Sequence, residues 1–184
     1  MPTQATGTWA TVAQSSDYAE AMSVLASGVV MVTTELDGRP WGMTVSAFAS
    51  VSAEPPTVLV SLHSETAAAR AIAQARGFGV SILGRQHSAA AHHGSTRGAS
   101  KFLERFVDAH ARGVNPAVAG ALAHLDCDVV DQVEVADHTI LFARVREVRG
   151  AKSGEPLVYF RRAYRTLVAH SAHSRRRRTP CLSS

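Results

Sequence analysis

The stretch VVMVTTELDGRPWGMTVSAFASV, running from Val29 to Val51, decides the fold. Val29 to Leu36 is apolar and rich in β-branched residues, Asp37-Gly38 is the dipeptide that a tight hairpin favours, and Trp41 to Val51 reads as the returning strand. Antiparallel sheet follows. Pro55 and Pro56 interrupt the chain, since proline donates nothing to a ladder, and a third strand starts at Thr57 and runs to Leu62. Strands are expected again over residues 78–83, 140–148 and 157–160. In Ala123, Leu125, Cys127 and Val129, alternation with His124, Asp126 and Asp128 has a period of two, which predicts a strand with one wet face.

Helices are inserted among these strands. Ser16 or Asp17 caps a short one through about Leu25, with Tyr18, Met22 and Leu25 on one face and Gly28 as its stop. Ser64 opens a second, Ala-rich helix over residues 65–76, with Ala68, Ile72 and Ala75 at helical spacing and Gly77 behind it. Residues 84–115 carry short helical pieces among Gly, Ser and His and read as a surface excursion. Hairpin-linked strands with helices inserted, not alternating, predict a mainly β antiparallel barrel and exclude a doubly wound fold.

The 184 residues suffice for one domain, expected at 16–168. The polar segment 1–15 and the cationic, Ser-rich tail 169–184 cannot bury enough apolar area to offset the entropy of ordering, and disorder is expected at both. Arg175 to Arg178 account for the whole formal charge of +4, so the body is neutral and a nucleic-acid partner is not expected. With two cysteines, Cys127 and the tail's Cys181, the chain fits a reducing compartment, the cytoplasm. No stretch reaches the roughly 18 apolar residues a membrane span needs, and no export signal is evident.

Familiar catalytic motifs are missing. Gly77, Gly79 and Gly84 do not have dinucleotide-fingerprint spacing and run through a strand, and there is no phosphate-binding lysine loop, nucleophile elbow or paired zinc motif. His87, His92 and His93 have the wrong spacing for a metal on one helical face and read as solvated histidines. Hydride chemistry remains open, because there the cofactor carries the reactivity and the protein supplies geometry.

Gly42 to Ser52 with Pro55 and Pro56, then residues 58–66, 78–83, 100–106, Asp137-His138 and 156–164, together resemble the flavin reductase family of split-barrel flavin-binding proteins. The resemblance implies a six-stranded Greek-key split β-barrel, paired as a homodimer, that uses NADH or NADPH to reduce FAD or FMN and hands reduced flavin to a partner monooxygenase. FAD with NADH is the favoured pair. It also implies flavin contacts from Met43, Thr44, Val45, Ser46 and Ala47, from Ser50, and from Ser61, Leu62, Ser64 and Thr66, with Lys101 and Phe102 beside them. His138 is implied as the catalytic histidine, orienting the dinucleotide or stabilising charge on the reduced ring. Tyr159, Phe160, Arg161 and Arg162 are implied to close over the nicotinamide cofactor.

The residue types suit such ligands. Thr44 and Ser46 alternate, so both hydroxyls face one ring edge, and one of Ser50 and Ser52 is expected at the cofactor with the other capping the turn before the prolines. Main-chain N–H groups at Ser64, Glu65 and Thr66 would open to a phosphate at the helix dipole's positive end, with Arg70 or Lys101 adding charge. An aromatic stacks on a base and an arginine pairs with a pyrophosphate. Two other readings stay open: a split-barrel oxidase that keeps its flavin, and a non-enzymatic binding module that uses the Arg-rich tail.

Overall fold

The computed structural model describes residues 13–108, 115–150 and 153–167. Apart from residues 13–15, the two expected disordered ends lie outside them, the Arg175–Arg178 run included. The elements in chain order are α1 (Ser15–Ser23), β1 (Ser27–Gly28), β2 (Val30–Leu36), β3 (Arg39–Val45), β4 (Phe48–Ala53), β5 (Pro56–His63), α2 (Ala67–Ala75), β6 (Gly77–Ile82), α3 (Ser88–Ser95), β7 (Ala123–Val135), β8 (His138–Arg149), β9 (Leu157–Phe160) and β10 (Ala163–Thr166).

Asp37 and Gly38 both take positive φ, 53° and 70°, and make the expected tight turn, pairing Leu36 with Arg39. The returning strand is shorter than its sequence suggests. It breaks after Val45 and resumes at Phe48, because the chain must cross from one end of the sheet to the other. Seven strands form an antiparallel sheet in the order β3-β2-β6-β7-β8-β5-β4, so the consecutive strands β3 and β4 are its two ends. The Ser46–Ala47 connector closes the sheet on itself, and the Ser61 N–H donates to the Ala47 carbonyl at 3.0 Å. A second small sheet, β1-β9-β10, lies alongside.

Six strands, β2, β3, β5, β6, β7 and β8, supply the buried barrel core, with Val32, Val60, Leu62, Phe78, Val80 and Leu141 at its centre and Ile72 of α2 plugging it. This is the expected six-stranded barrel, with β4 added to β5 and the small sheet alongside. The run from Val29 into β2 is apolar on both faces for a reason: Val30 and Val32 face this core, while Val29, just before the strand, and Met31 enter a second buried cluster with Ala90, Ala91, Leu103 and Val118. Residues 84–115 are therefore no surface excursion, since their described part builds that cluster. Lys101 to Leu103 also run along the free edge of β3, where Gly42 N–H donates to the Lys101 carbonyl and Leu103 N–H to the Pro40 carbonyl. An open sheet end is thereby covered.

Two further expectations are corrected. Helix α2 starts at Ala67, and its cap is Thr66, whose hydroxyl accepts from Ala69 N–H at 3.2 Å. Ser64 instead donates to Glu134 (2.8 Å) and contacts Thr139. The wet face of β7 is also dry at its start. His124 and Asp126 are buried, because the segment around Asn115 to Val118 lies over them and a bulge between Asp126 and Cys127 disturbs the alternation.

These groups form a network. Asp126 accepts from the main chain and side chain of Asn115 (3.2 and 3.1 Å) and from Arg149 (2.7 Å). The Ser81 hydroxyl accepts from Val118 N–H and shares a hydrogen bond with His124 Nδ1 at 2.9 Å. Burial pushes the Asp126 carboxyl up, but Asn115, His124 and Arg149 outweigh it and hold it below the usual range. Burial likewise pulls His124 below the usual imidazole range, against the pull of Asp126. Cys127, next along, is a buried free thiol pushed up to about 12 by desolvation and then by Asp126 and Asp128.

Both His124 and Asp126 hold protons less tightly in the folded chain than in the unfolded one, so acid costs stability. The loss starts below about pH 6.5 for His124 and below about pH 4 for Asp126. The thermal midpoint is expected to fall between pH 7 and 5, and His124→Gln should flatten that part of a calorimetric profile.

Candidate active site

A cleft of about 330 Å3 opens where the barrel, α3 and the β9–β10 hairpin meet, lined by Val29, Thr44, Ser46, His92, Ser95, Tyr159, Arg162, Ala163 and Tyr164. Its geometry starts with a glycine. A methyl group on Gly94 would stand 2.5 Å from Thr44 Oγ1 and 2.9 Å from Thr44 N, so only glycine lets α3 lie this close to β3. The Thr44 hydroxyl donates to the Ala91 carbonyl at 2.7 Å, and the Tyr164 hydroxyl donates to the same oxygen at 3.1 Å. Three elements are thus held on one acceptor.

The hairpin supplies the aromatic wall. Tyr159 and Tyr164 are register partners with ring centroids 5.6 Å apart, and the His92 ring meets Tyr164 edge-on at 4.7 Å. The turn between β9 and β10 consists of Arg161 and Arg162, both left-handed with φ of 48° and 58°. Gly or Asn is the usual occupant of such positions, and a larger residue costs roughly 1–2 kcal/mol there. Arg161 N–H donates to the Ser23 carbonyl of α1 at 2.7 Å, and Arg162 Nη2 lies 3.4 Å from Glu20 Oε2.

Of the residues expected from sequence, Thr44, Ser46, Tyr159 and Arg162 share this cleft. Thr44 keeps only acceptor capacity, since its hydroxyl proton is committed to Ala91. Ala47 and Ser61 meet at the barrel seam, one as acceptor and the other as donor. Val45 and Leu62 are buried in the core and Met43 packs against it, so their side chains reach no ligand and only their main chain could. Ser50 is exposed on β4, while Ser52 caps the turn by bonding Glu54. Arg161 points its guanidinium over the Phe160 ring at 5.5 Å and does not line the cleft.

Two groups stand apart from it. Phe102 packs edge-on against Trp41 at 4.9 Å under Arg39, and burial lowers the Lys101 ammonium's proton affinity. His138 shares the carboxylate of Asp137 (2.7 Å) with His63 (3.5 Å), near Ser64 and Thr139. The His138 bond comes first among the causes that hold Asp137 below the usual carboxylate range. The expected phosphate donors there are taken: Ser64, Glu65 and Thr66 N–H go to Asp137 O, His63 Nδ1 and His63 O. Among the described residues, the half-buried Ala67 keeps an open N–H at the start of α2.

Sequence reasoning missed Val29, His92, Ser95 and Ala163 as cleft residues and did not give Tyr164 a contact of its own. The available signal was Gly94, a helix breaker between His93 and Ser95 in a helical run, which marks a close approach. The solvated reading of the histidines is also corrected. His87 is buried between Gly84 N–H and the Ala119 carbonyl, His93 binds the Phe102 carbonyl, and only His92 faces open space.

The Ser95 hydroxyl donates to the His92 carbonyl at 3.1 Å, and among the described residues no hydrogen bond joins a cleft serine to the His92 ring. The open barrel-side cleft presents aromatic rings, hydroxyls and one guanidinium, groups whose chemistry suits a flat, anionic ligand. The chain belongs to the flavin reductase like domain family, whose pattern matches residues 22–168. It is 43% identical over 153 residues to the reductase component of a 4-nitrophenol 4-monooxygenase/4-nitrocatechol 2-monooxygenase from Rhodococcus opacus, covering 82% of this chain and 81% of that one. An NADH-dependent flavin reductase from a Rhodococcus species is 38% identical over 152 residues, covering 80% and 84%. Among solved structures, the styrene monooxygenase flavin reductase from Pseudomonas putida superposes with a TM-score of 0.74 at 31% identity, covering 83% of this chain and 99% of that one.

If α3 depends on this close approach, Gly94→Ala should destabilise the fold by about 1–3 kcal/mol and distort the cleft. Urea denaturation reads the first effect, and a raised KM for flavin or dinucleotide reads the second.

Proposed function

We propose that this chain is an NADH-dependent flavin reductase that reduces FAD or FMN and releases it to a partner monooxygenase. The observation that carries this reading is that Thr44 of β3 and Ser46 of the connector behind it, both assigned to flavin, line one cleft with Tyr159 and Arg162, on the hairpin assigned to the dinucleotide. The cleft also fits a flat ring. Val29, Tyr159 and Tyr164 give it apolar and aromatic surface, hydroxyls rim it, and about 330 Å3 suits one ring system better than a whole dinucleotide.

A bound flavin supplies the hydride-accepting chemistry that no side chain here provides. The protein's part is orientation, which can make the transfer effectively unimolecular. Ser46 and the main chain beside it address the ring's polar edge, Tyr159 stacks, and Arg162 attracts phosphate. From Ser61, three residues of extended β5 lead about 10 Å toward α2, where the half-buried Ala67 offers its N–H as the donor for a phosphate at that end. Lys101 and Phe102, Ser50 and His138 remain assigned to ligand contact on the resemblance, with His138 held by Asp137 in the tautomer that donates from Nδ1.

A homodimer in the cytoplasm completes the proposal. On its β6 side β7 is bonded as far as Val129, by Arg76; beyond it, among the described residues, no strand pairs with that side, and Val130, Val133 and Val135 are exposed, while α1 exposes Tyr18, Met22 and Leu25. A free apolar strand edge favours coverage by another chain. Pairing of two copies through the β7–β8 hairpin would carry His138 into the interface. Val133→Asp with Val135→Asp is expected to shift sedimentation from dimer to monomer.

The activity test is NADH oxidation, followed by absorbance, with and without added FAD or FMN. Oxidation that needs free flavin and saturates in it is the expected result; none with either flavin would sink the proposal. A flavin that survives dialysis would instead favour the flavin-retaining oxidase.

A further inference from the structure

Arg162 occupies a backbone position that penalises it. At φ 58°, following Arg161 at 48°, it completes a two-residue hairpin that Gly or Asn would satisfy with less strain. The turn itself gives no reason for an arginine, whereas the cleft does, because Arg162 lines it and Arg161 does not. A residue held in an unfavourable conformation beside a cleft is placed there for what its side chain binds. Its planar fork of N–H donors matches a phosphate group.

The guanidinium already has an anion beside it. Glu20 Oε2 approaches Arg162 Nη2 at 3.4 Å, a single contact between side chains that are 75% and 62% exposed. Such a pair adds little to stability. Nor does Glu20 fix the turn: α1 buries none of its residues and is tied to the hairpin by the Arg161 N–H to Ser23 carbonyl bond, which is independent of Glu20. What remains is a negative charge standing where a phosphate would go, which an incoming ligand must displace.

We infer that Arg162 grips a phosphate of the nucleotide ligands of this cleft and that Glu20 is a competing internal anion that weakens the grip. The inference rests on the flavin reductase reading. The phosphate belongs either to the dinucleotide or to the flavin, and the two sources are separable.

The experiment compares full-length Arg162→Gly, Arg162→Lys and Glu20→Gln with the wild-type chain. KM is measured for NADH, FMN and riboflavin, alongside thermal midpoints and direct calorimetric binding of NADH and FMN. Arg162→Gly should keep or raise the thermal midpoint, since it relieves the turn, while raising KM about tenfold. Arg162→Lys should fall between. Glu20→Gln should lower KM by about two- to fivefold with kcat unchanged.

A KM rise confined to NADH assigns the grip to the dinucleotide, and a rise for FMN but not riboflavin assigns it to the flavin phosphate. Unchanged KM in Arg162→Gly, a fall in its thermal midpoint, or a raised KM in Glu20→Gln would each overturn the inference, the last by showing that Glu20 positions Arg162. Wild-type protein that oxidises no NADH with either flavin would refute the reductase reading instead. Calorimetry would then still decide the phosphate grip.

Discussion

The Ala91 carbonyl accepts two hydroxyl hydrogen bonds, one from Thr44 on β3 and one from Tyr164 on β10, and through them the barrel, α3 and the terminal hairpin share one wall. The arrangement is possible only because Gly94 presents no side chain to Thr44. Everything that lines the cleft inherits its position from this junction. His92 and Ser95 project from the last turns of α3, Tyr159 is set by its register with Tyr164, and Arg162 follows from the turn that Tyr159 and Tyr164 flank.

The barrel was largely readable in the sequence because its signals are local. Asp37-Gly38 turned where such a dipeptide turns, and the prolines at 55 and 56 set the start of β5. What local pattern could not show was coverage from a distance. The alternation of His124, Asp126 and Asp128 predicts a wet face, and only the distant segment at Asn115 to Val118 makes its first half dry. The same blindness hid the break at Ser46–Ala47, because strand propensity continues through a point where topology demands a crossing. It also turned residues 84–115 into an excursion, although apolar side chains of their described part, Ala90, Ala91 and Leu103, pack with Val29 and Met31.

The candidate site was legible in part, and the division has a physical basis. The family resemblance pointed to Thr44, Ser46, Tyr159 and Arg162, which converge; it could not foresee that Ser64 would be taken by Glu134, or that Thr66 would be the cap. Helix starts shift by two or three residues when a competing acceptor is near, and that shift moves the free N–H from Ser64–Thr66 to Ala67. Identity of type survived in the prediction, while which hydrogen-bonding capacity remained unspent did not.

Cys127, sealed in the barrel with its thiol pushed up to about 12, bears on durability. Reduced flavins react with dioxygen and release peroxide, so a catalyst of this family works amid its own oxidant. Thiolates are the form that peroxide attacks, and burial between β6 and β8 keeps this sulfur protonated and out of reach. The same desolvation that tightens the core thus shields this one sulfur from an oxidant that a surface thiolate would meet.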